Sequence, residues 1–394
     1  MIYRDFQGER LSALAFGTMR LPTVEGTGTI DEKRVYEMTE YAISHGVNYF
    51  DTAYPYHGGE SERVMGRVLK SFPRQSFNLA TKYPGHQISD SYDVKAVFEE
   101  QLEKCGVDYF DFYLLHNVYE DSVPVYEDSR WGIIDYLKEQ KKNGRIRHLG
   151  FSSHAQPDSL KSFVERHGED MEFCQIQLNY LDWTLQSANE KYDILTAAGI
   201  PVFVMEPVRG GKLANLPASI TERLKELCPG KSSASFAFRF LLGLPNVTTV
   251  LSGMSDMAQM EDNVKTFTVG EPLSQEEWQT ALDIAEFLKD AVPCTGCRYC
   301  CDGCPAGLDI PKLISVYNDV KFQPHFNAGM YIDSLDEGKK PSACIGCGAC
   351  SAICPQKIDV PSLMKDLEER LSKLPKWADL CRERAEASKR GKKQ

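Results

Sequence analysis

A parallel (β/α)8 TIM barrel followed by a small cysteine-rich domain is the architecture that three features of the 394-residue chain predict. Strand and helix patterns alternate eight times over roughly 250 residues, which is the sequence form of such a barrel. The strand segments are continuous apolar runs, as expected of parallel strands covered on both faces. Once the alternation ends, one cysteine motif occurs twice at a 50-residue offset.

The elements follow in order. RDFQGERLSALAFG reads as a short hairpin leading into the first barrel strand, LAFG. A helical period over 31–45 precedes the strand VNYFDTA, and 60–69 precedes FNLATK. Helices over 92–104, 131–142 and 158–166 lead into DFYLLH, HLGFSS and FCQIQL. Helices over 188–198 and 232–242 lead into PVFVME and TTVLSG, completing eight strands. A doubly wound sheet would need a glycine-rich phosphate loop after its first strand, and GTMRLP is not G-x-G-x-x-G. The expected limits are 1–272 for the barrel, 273–293 for a connecting helix, 294–365 for the cysteine domain and 366–394 for a C-terminal helix and basic tail. Within 305–344, ISVYNDV and MYIDSL are expected as helices packed on the barrel.

The first cysteine copy is Cys294, Cys297, Cys300 and Cys304 before Pro305, and the second is Cys344, Cys347, Cys350 and Cys354 before Pro355. Asp309, Pro311 and Leu313 recur as Asp359, Pro361 and Leu363. C-x2-C-x2-C-x3-C-P is the ligand run of bacterial-type ferredoxins, whose fourth cysteine reaches the other cluster. Two [4Fe-4S] clusters are therefore expected in a ferredoxin-like domain, one on Cys294, Cys297, Cys300 and Cys354, the other on Cys344, Cys347, Cys350 and Cys304. Zinc favours paired C-x2-C knuckles, a poorer match. Cys301 offers a slipped register, against which the 50-residue offset selects Cys300.

Thirteen cysteines without a disulfide-like framework point to a reducing compartment, and the charged start MIYRDFQGER does not resemble a signal peptide. A cytoplasmic protein without membrane spans is the expectation. A net charge of -11 disfavours nucleic acid, whose phosphates require a basic face.

Polar residues end successive strands, at the rim where barrels carry out chemistry. Asp51 ends the second strand with Tyr56 five residues on; Lys82 ends the third and His116 the fourth. FDTAxxYxxxE, the strand-end lysine and the LLH turn together resemble the aldo-keto reductase superfamily from Arg4 to about Phe267, and the full chain resembles its subgroup with a C-terminal ferredoxin-like domain. The resemblance implies an NAD(P)-dependent oxidoreductase acting on a small carbonyl or alcohol, with Asp51, Tyr56, Lys82 and His116 as its catalytic tetrad. The chemistry agrees. A carbonyl receiving hydride needs a nearby proton donor. An ammonium beside a phenol stabilises the phenolate, so Tyr56 would be the acid, Lys82 its tuner, Asp51 the anchor of Lys82, and His116 the orienting group.

The resemblance also implies cofactor contacts: Gly17 and Thr18 after the first strand, Ser152, Ser153 and Gln175 for the carboxamide, and Val208, Gly210 and Lys212 in a covering loop. Gly253, Ser255, Asp256, Gln259 and Asn263 match the segment gripping the adenosine phosphate end. NADP-dependent relatives place Lys or Arg there; Gly253, Gln259 and nearby Asp256 predict NADH over NADPH. Met205 stands where many relatives stack an aromatic ring on nicotinamide.

Cubanes pass single electrons whereas nicotinamide takes a hydride, so direct transfer between them would require a splitter such as a flavin. Two further readings follow. One is an electron-transfer protein whose clusters pass electrons to a flavin or redox partner docked on the barrel; the other is a redox-sensing, nucleotide-binding scaffold. A redox partner protein at the ferredoxin-like domain is a further expectation.

Overall fold

Ten short strands organise the first part of the chain: β1 (Tyr3–Phe6), β2 (Glu9–Ser12), β3 (Leu14–Gly17), β4 (Tyr49–Asp51), β5 (Asn78–Tyr83), β6 (Phe110–Val118), β7 (Ile146–Ser153), β8 (Cys174–Gln177), β9 (Val202–Met205) and β10 (Val247–Ser252). Strands β3 to β10 pair in parallel and close on themselves, β10 beside β3, giving the expected eight-stranded barrel. The structure, a computed structural model, describes residues 1–87, 91–216, 218–289, 292–322 and 331–373. The chain divides into two compact units, Met1–Phe287 and Leu288–Gln394.

Strands β1 and β2 form an antiparallel hairpin. Gln7 and Gly8 both have positive φ, as a two-residue hairpin turn demands. Phe6 of that hairpin lies 5.5 Å from Phe112 and 5.6 Å from Phe203 between ring centres. Leu11, Tyr49 and Phe173 join the same buried cluster. Aromatic side chains thus fill the end of the barrel where the strands begin, leaving the opposite end for polar side chains.

Side-chain caps set several helix starts. Asp31 accepts from the Arg34 N–H, Asp93 from Ala96, Ser232 from Ser235 and Asp256 from Gln259, each holding one of the donors a first turn leaves unpaired. The helix expected from 92 consequently begins after its Asp93 cap, at Val94–Cys105. That expected from 131 begins later, at Ile133–Lys142, because Gly132 is left-handed at φ 54°. The periodicity gave no warning of the helices Ala218–Leu227 and Met257–Val269. The latter was legible only as a binding segment.

In the second unit, ISVYNDV falls within the helix Ile310–Phe322. Ile314, Val316, Tyr317 and Val320 lie in the unit's own core with Ile332, Met364 and Leu367. Placing them there covers apolar surface that two cysteine loops alone would leave exposed. Met330 of MYIDSL, Pro217 and the basic tail beyond 373 fall outside the described residues. No helix among the described residues is long and apolar enough to cross a membrane.

Candidate active site and metal centre

Because the barrel strands run parallel, their C-terminal ends share one rim. Asp51 ends β4, Lys82 lies near the end of β5 and His116 near the end of β6. Tyr56 opens the short 3-10 helix Tyr56–Gly59 that follows β4. The fully buried Lys82 Nζ donates to Asp51 Oδ1 at 2.5 Å and to the Thr52 carbonyl at 2.7 Å. It also lies 5.0 Å from the centre of the Tyr56 ring, and the His116 ring stands nearly perpendicular to that ring at 6.0 Å. The four residues are therefore brought together. Burial lowers the Lys82 ammonium's pKa and raises that of the Asp51 carboxyl, while the ion pair between them opposes both shifts.

A polar layer backs this group. Glu62 Oε1 accepts from the Thr81 hydroxyl and from Gln101 Nε2, both at 2.6 Å, and Gln101 also donates to the Lys82 carbonyl. Tyr113 donates to Gln101 Oε1. The spacing FDTAxxYxxxE puts its glutamate at Glu60, which is exposed; the buried, connected one is Glu62. The positions turned inward by the helix Glu60–Leu69 were the missed signal, since Ser61 and Glu62 are both buried.

Two histidines unread in the sequence stand beside His116. The His86 ring lies 4.4 Å from it, and His154 acts on it electrostatically. Burial, chiefly, brings the pKa of His86 down to about 4 and that of His154 to about 3, and drives that of His116 well below its usual value. Unfolding frees these imidazoles to take up protons near pH 6.5, so the unfolded chain binds more protons below that value. Stability should be steady above about pH 7 and fall from about pH 6.5 towards 4. Thermal melts across that range check this, and His154→Gln should flatten the slope.

The expected cofactor contacts divide into engaged and available groups. Thr18 donates to the Asp51 carbonyl at 2.9 Å and is 2.8 Å from Ser61 Oγ; Gly17 pairs with Asp51 in the sheet. Ser152 Oγ accepts from the Asn117 N–H, and Ser153 Oγ donates to the Val118 carbonyl. These hydroxyls brace the rim. Gln175 is buried, and its Oε1 has no hydrogen-bond partner among the described residues, leaving an acceptor suited to an amide N–H.

After β9, Val208, Gly210 and Lys212 lie in a tight turn containing left-handed Glu206 and Arg209, at φ 55° and 49°. Arg209 is fully buried with Nε 3.3 Å from Asp182 Oδ1, and Glu206 meets Arg20 at 3.5 Å. No sequence pattern flagged these ion pairs. After β10, Gln259 donates to Asp256 through both its backbone and its side chain, and its Oε1 accepts from the Ser255 N–H. Asn263 donates to Ser252 Oγ, and Gly253 lies close against the Arg20 side chain.

In the second unit the eight motif cysteines sort around two cavities. Cys304, Cys344, Cys347 and Cys350 line one; Cys294, Cys297, Cys300 and Cys354 line the other. Each set takes three thiols from one copy and one from the other, which is the crossed arrangement. Cys300, not Cys301, faces the second cavity. Thiols spread around a cavity suit the corners of an iron–sulfur cube. None of these eight cysteines is in a disulfide among the described residues.

Comparison with known proteins agrees with both halves. The model of the aldo/keto reductase family matches residues 13–286, and that of the 4Fe-4S dicluster domain matches 293–358. A protein of Glycine max named probable aldo-keto reductase 1 is 29% identical over 213 residues, 52% of this chain and 58% of its own length. The Escherichia coli NADH-specific methylglyoxal reductase is 24% identical over 305 residues, covering 66% of this chain and 90% of that protein. The structure of aldo-keto reductase AKR11C1 from Bacillus halodurans in its holo form superposes with a TM-score of 0.59 at 27% identity, covering 72% of this chain and 96% of that one. With its family match running through most of the barrel and its cysteines paired across two cavities, the chain belongs to the aldo/keto reductase family of oxidoreductases and carries a C-terminal 4Fe-4S dicluster domain.

Proposed function

We propose that the protein interconverts a small-molecule carbonyl and its alcohol, using a nicotinamide held at the barrel mouth and Tyr56 as the general acid. The observation that carries this reading is the buried Lys82–Asp51 pair set against the Tyr56 ring with His116 edge-on to it. The bound nicotinamide supplies or accepts the hydride. Tyr56 gives the proton that the developing alkoxide requires, and the Lys82 charge favours the phenolate left behind. Asp51 fixes the ammonium. His116, held neutral by burial, orients the carbonyl oxygen without adding a competing charge. Gln175 Oε1 is the proposed acceptor for the carboxamide.

NADH is the proposed partner over NADPH. Asp256 caps the helix Met257–Val269 with its carboxylate, so an anion already occupies the end where a 2'-phosphate would seek positive charge. Gln259, bonded to Asp256, supplies no cation. Dissociation constants for the two nucleotides should favour NADH by about tenfold, the worth of one charge-assisted contact; tighter NADPH binding would reverse the assignment. The similarity to the Escherichia coli NADH-specific methylglyoxal reductase makes methylglyoxal a first substrate to assay.

The clusters are proposed to serve a redox partner protein at the dicluster domain, where Ile345 and Cys347 are exposed. Cytoplasmic residence is proposed because open iron–sulfur ligands require a reducing surrounding.

A further inference from the structure

The two cysteine copies supply an internal control for what tunes each cluster. Gly296 and Gly346 share a φ of 71°, and the next helices, Tyr299–Asp302 and Ala349–Ile353, start at equivalent places. Asp309 and Asp359 recur at the same offset. The residue before each helix is left-handed in both copies, Arg298 at φ 69° and Gly348 at φ 77°. A glycine is expected at such a position and the second copy has one, whereas the first accepts an arginine against its backbone preference.

Arg298 lines the cavity of Cys294, Cys297, Cys300 and Cys354. Its guanidinium donates to Asp309 Oδ1 at 3.0 Å, which holds it there. In the second copy Asp359 is instead bonded to the Ser362 hydroxyl at 2.6 Å, and Gly348 brings no charge to the other cavity's lining. Other cations lie outside the two cavity linings: Lys312 Nζ is 5.0 Å from the Tyr331 ring centre, and Lys339 Nζ donates to the Ala306 and Gly307 carbonyls beside the other cavity. The aspartate is thus common to both copies, and the arginine at the cavity wall belongs to one.

We propose that Arg298 makes the two clusters inequivalent, selectively raising the reduction potential of the one held by Cys294, Cys297, Cys300 and Cys354. A nearby positive charge favours the state carrying the extra electron, and net charge around a cluster is one of the protein's means of setting its potential. Half-exposure of Arg298 screens the effect without abolishing it. The inference rests on the dicluster assignment and not on the carbonyl chemistry; iron content tests that assignment separately.

The experiment is a dithionite titration with redox mediators, followed by electron paramagnetic resonance, on the full chain at verified iron content. Arg298→Gly, which installs the second copy's residue, should shift one midpoint to lower potential and leave the other unmoved. At the wild-type midpoint the reduced-to-oxidised ratio of that cluster should change on the order of threefold, as for one screened charge near the cluster. Arg298→Lys should retain most of the wild-type value, and Arg298→Gln should reproduce the glycine shift should the glycine variant lose iron. Gly348→Arg, at a site with open space around the added Cβ, should raise the other midpoint. Cys297→Ser should remove the signal that Arg298 controls. Unchanged midpoints in both neutral variants, equal movement of the two midpoints, or persistence of the shifted signal in Cys297→Ser would overturn the proposal.

Discussion

Tyr56→Phe should lower the turnover number for carbonyl reduction by about 10²- to 10⁴-fold, the usual contribution of a positioned proton donor. Nucleotide affinity should stay close to that of the unmodified protein, because only the hydroxyl is lost. The ring remains to face Lys82 Nζ, and His116 keeps its perpendicular neighbour. A loss in turnover with unchanged binding is the signature of an interaction made in the transition state. Lys82→Met would be a poorer probe: it leaves the buried Asp51 carboxylate without its ion pair, and breaking such pairs costs about 3–5 kcal/mol of stability. Steady-state kinetics with direct nucleotide titration read both quantities. Full activity in Tyr56→Phe would remove Tyr56 from the chemistry.

Removal of iron should unfold most of the second unit while leaving the barrel intact. Cys294 and Cys350 are themselves part of that unit's apolar core, so the thiols proposed to hold metal also pack with Leu308, Ile310 and Leu367. The helices Tyr299–Asp302 and Ala349–Ile353 are too short to persist alone. Folding and metal binding are therefore one equilibrium there. Chelation under reducing conditions should give rapid proteolysis beyond residue 288 and a protected barrel. Cys347→Ala should lose about half the iron, as expected if one of two like clusters fails. Equal protease resistance with and without iron would refute the coupling.

The barrel was legible because its strands are continuous apolar runs that alternate with helical periods, both local signals. The crossed grouping of the motif cysteines around two cavities was legible for a different reason. Their 50-residue duplication fixes which thiols are equivalent, and the crossed lining of the two cavities follows from it. Residues whose importance depends on partners distant in sequence were hidden. Glu62 meets Gln101 across 39 positions, Arg209 meets Asp182 only after the turn following β9 goes left-handed, and His86 meets His116 from another rim loop. Ser152 and Thr18, expected as ligand contacts from resemblance, also bond backbone groups through their hydroxyls. Whether a hydroxyl serves the fold or a ligand depends on its nearest acceptor, which spacing alone does not reveal.

The central claim is that hydride and proton reach the substrate at one rim, the proton coming from Tyr56, while the clusters serve another exchange. Anaerobic turnover with nicotinamide deuterated at its transferring carbon, analysed by mass spectrometry of the alcohol, tests this most directly. The account predicts one deuterium on the carbinol carbon for every nucleotide oxidised. An alcohol free of carbon-bound deuterium, formed only while the clusters are reduced, would contradict it.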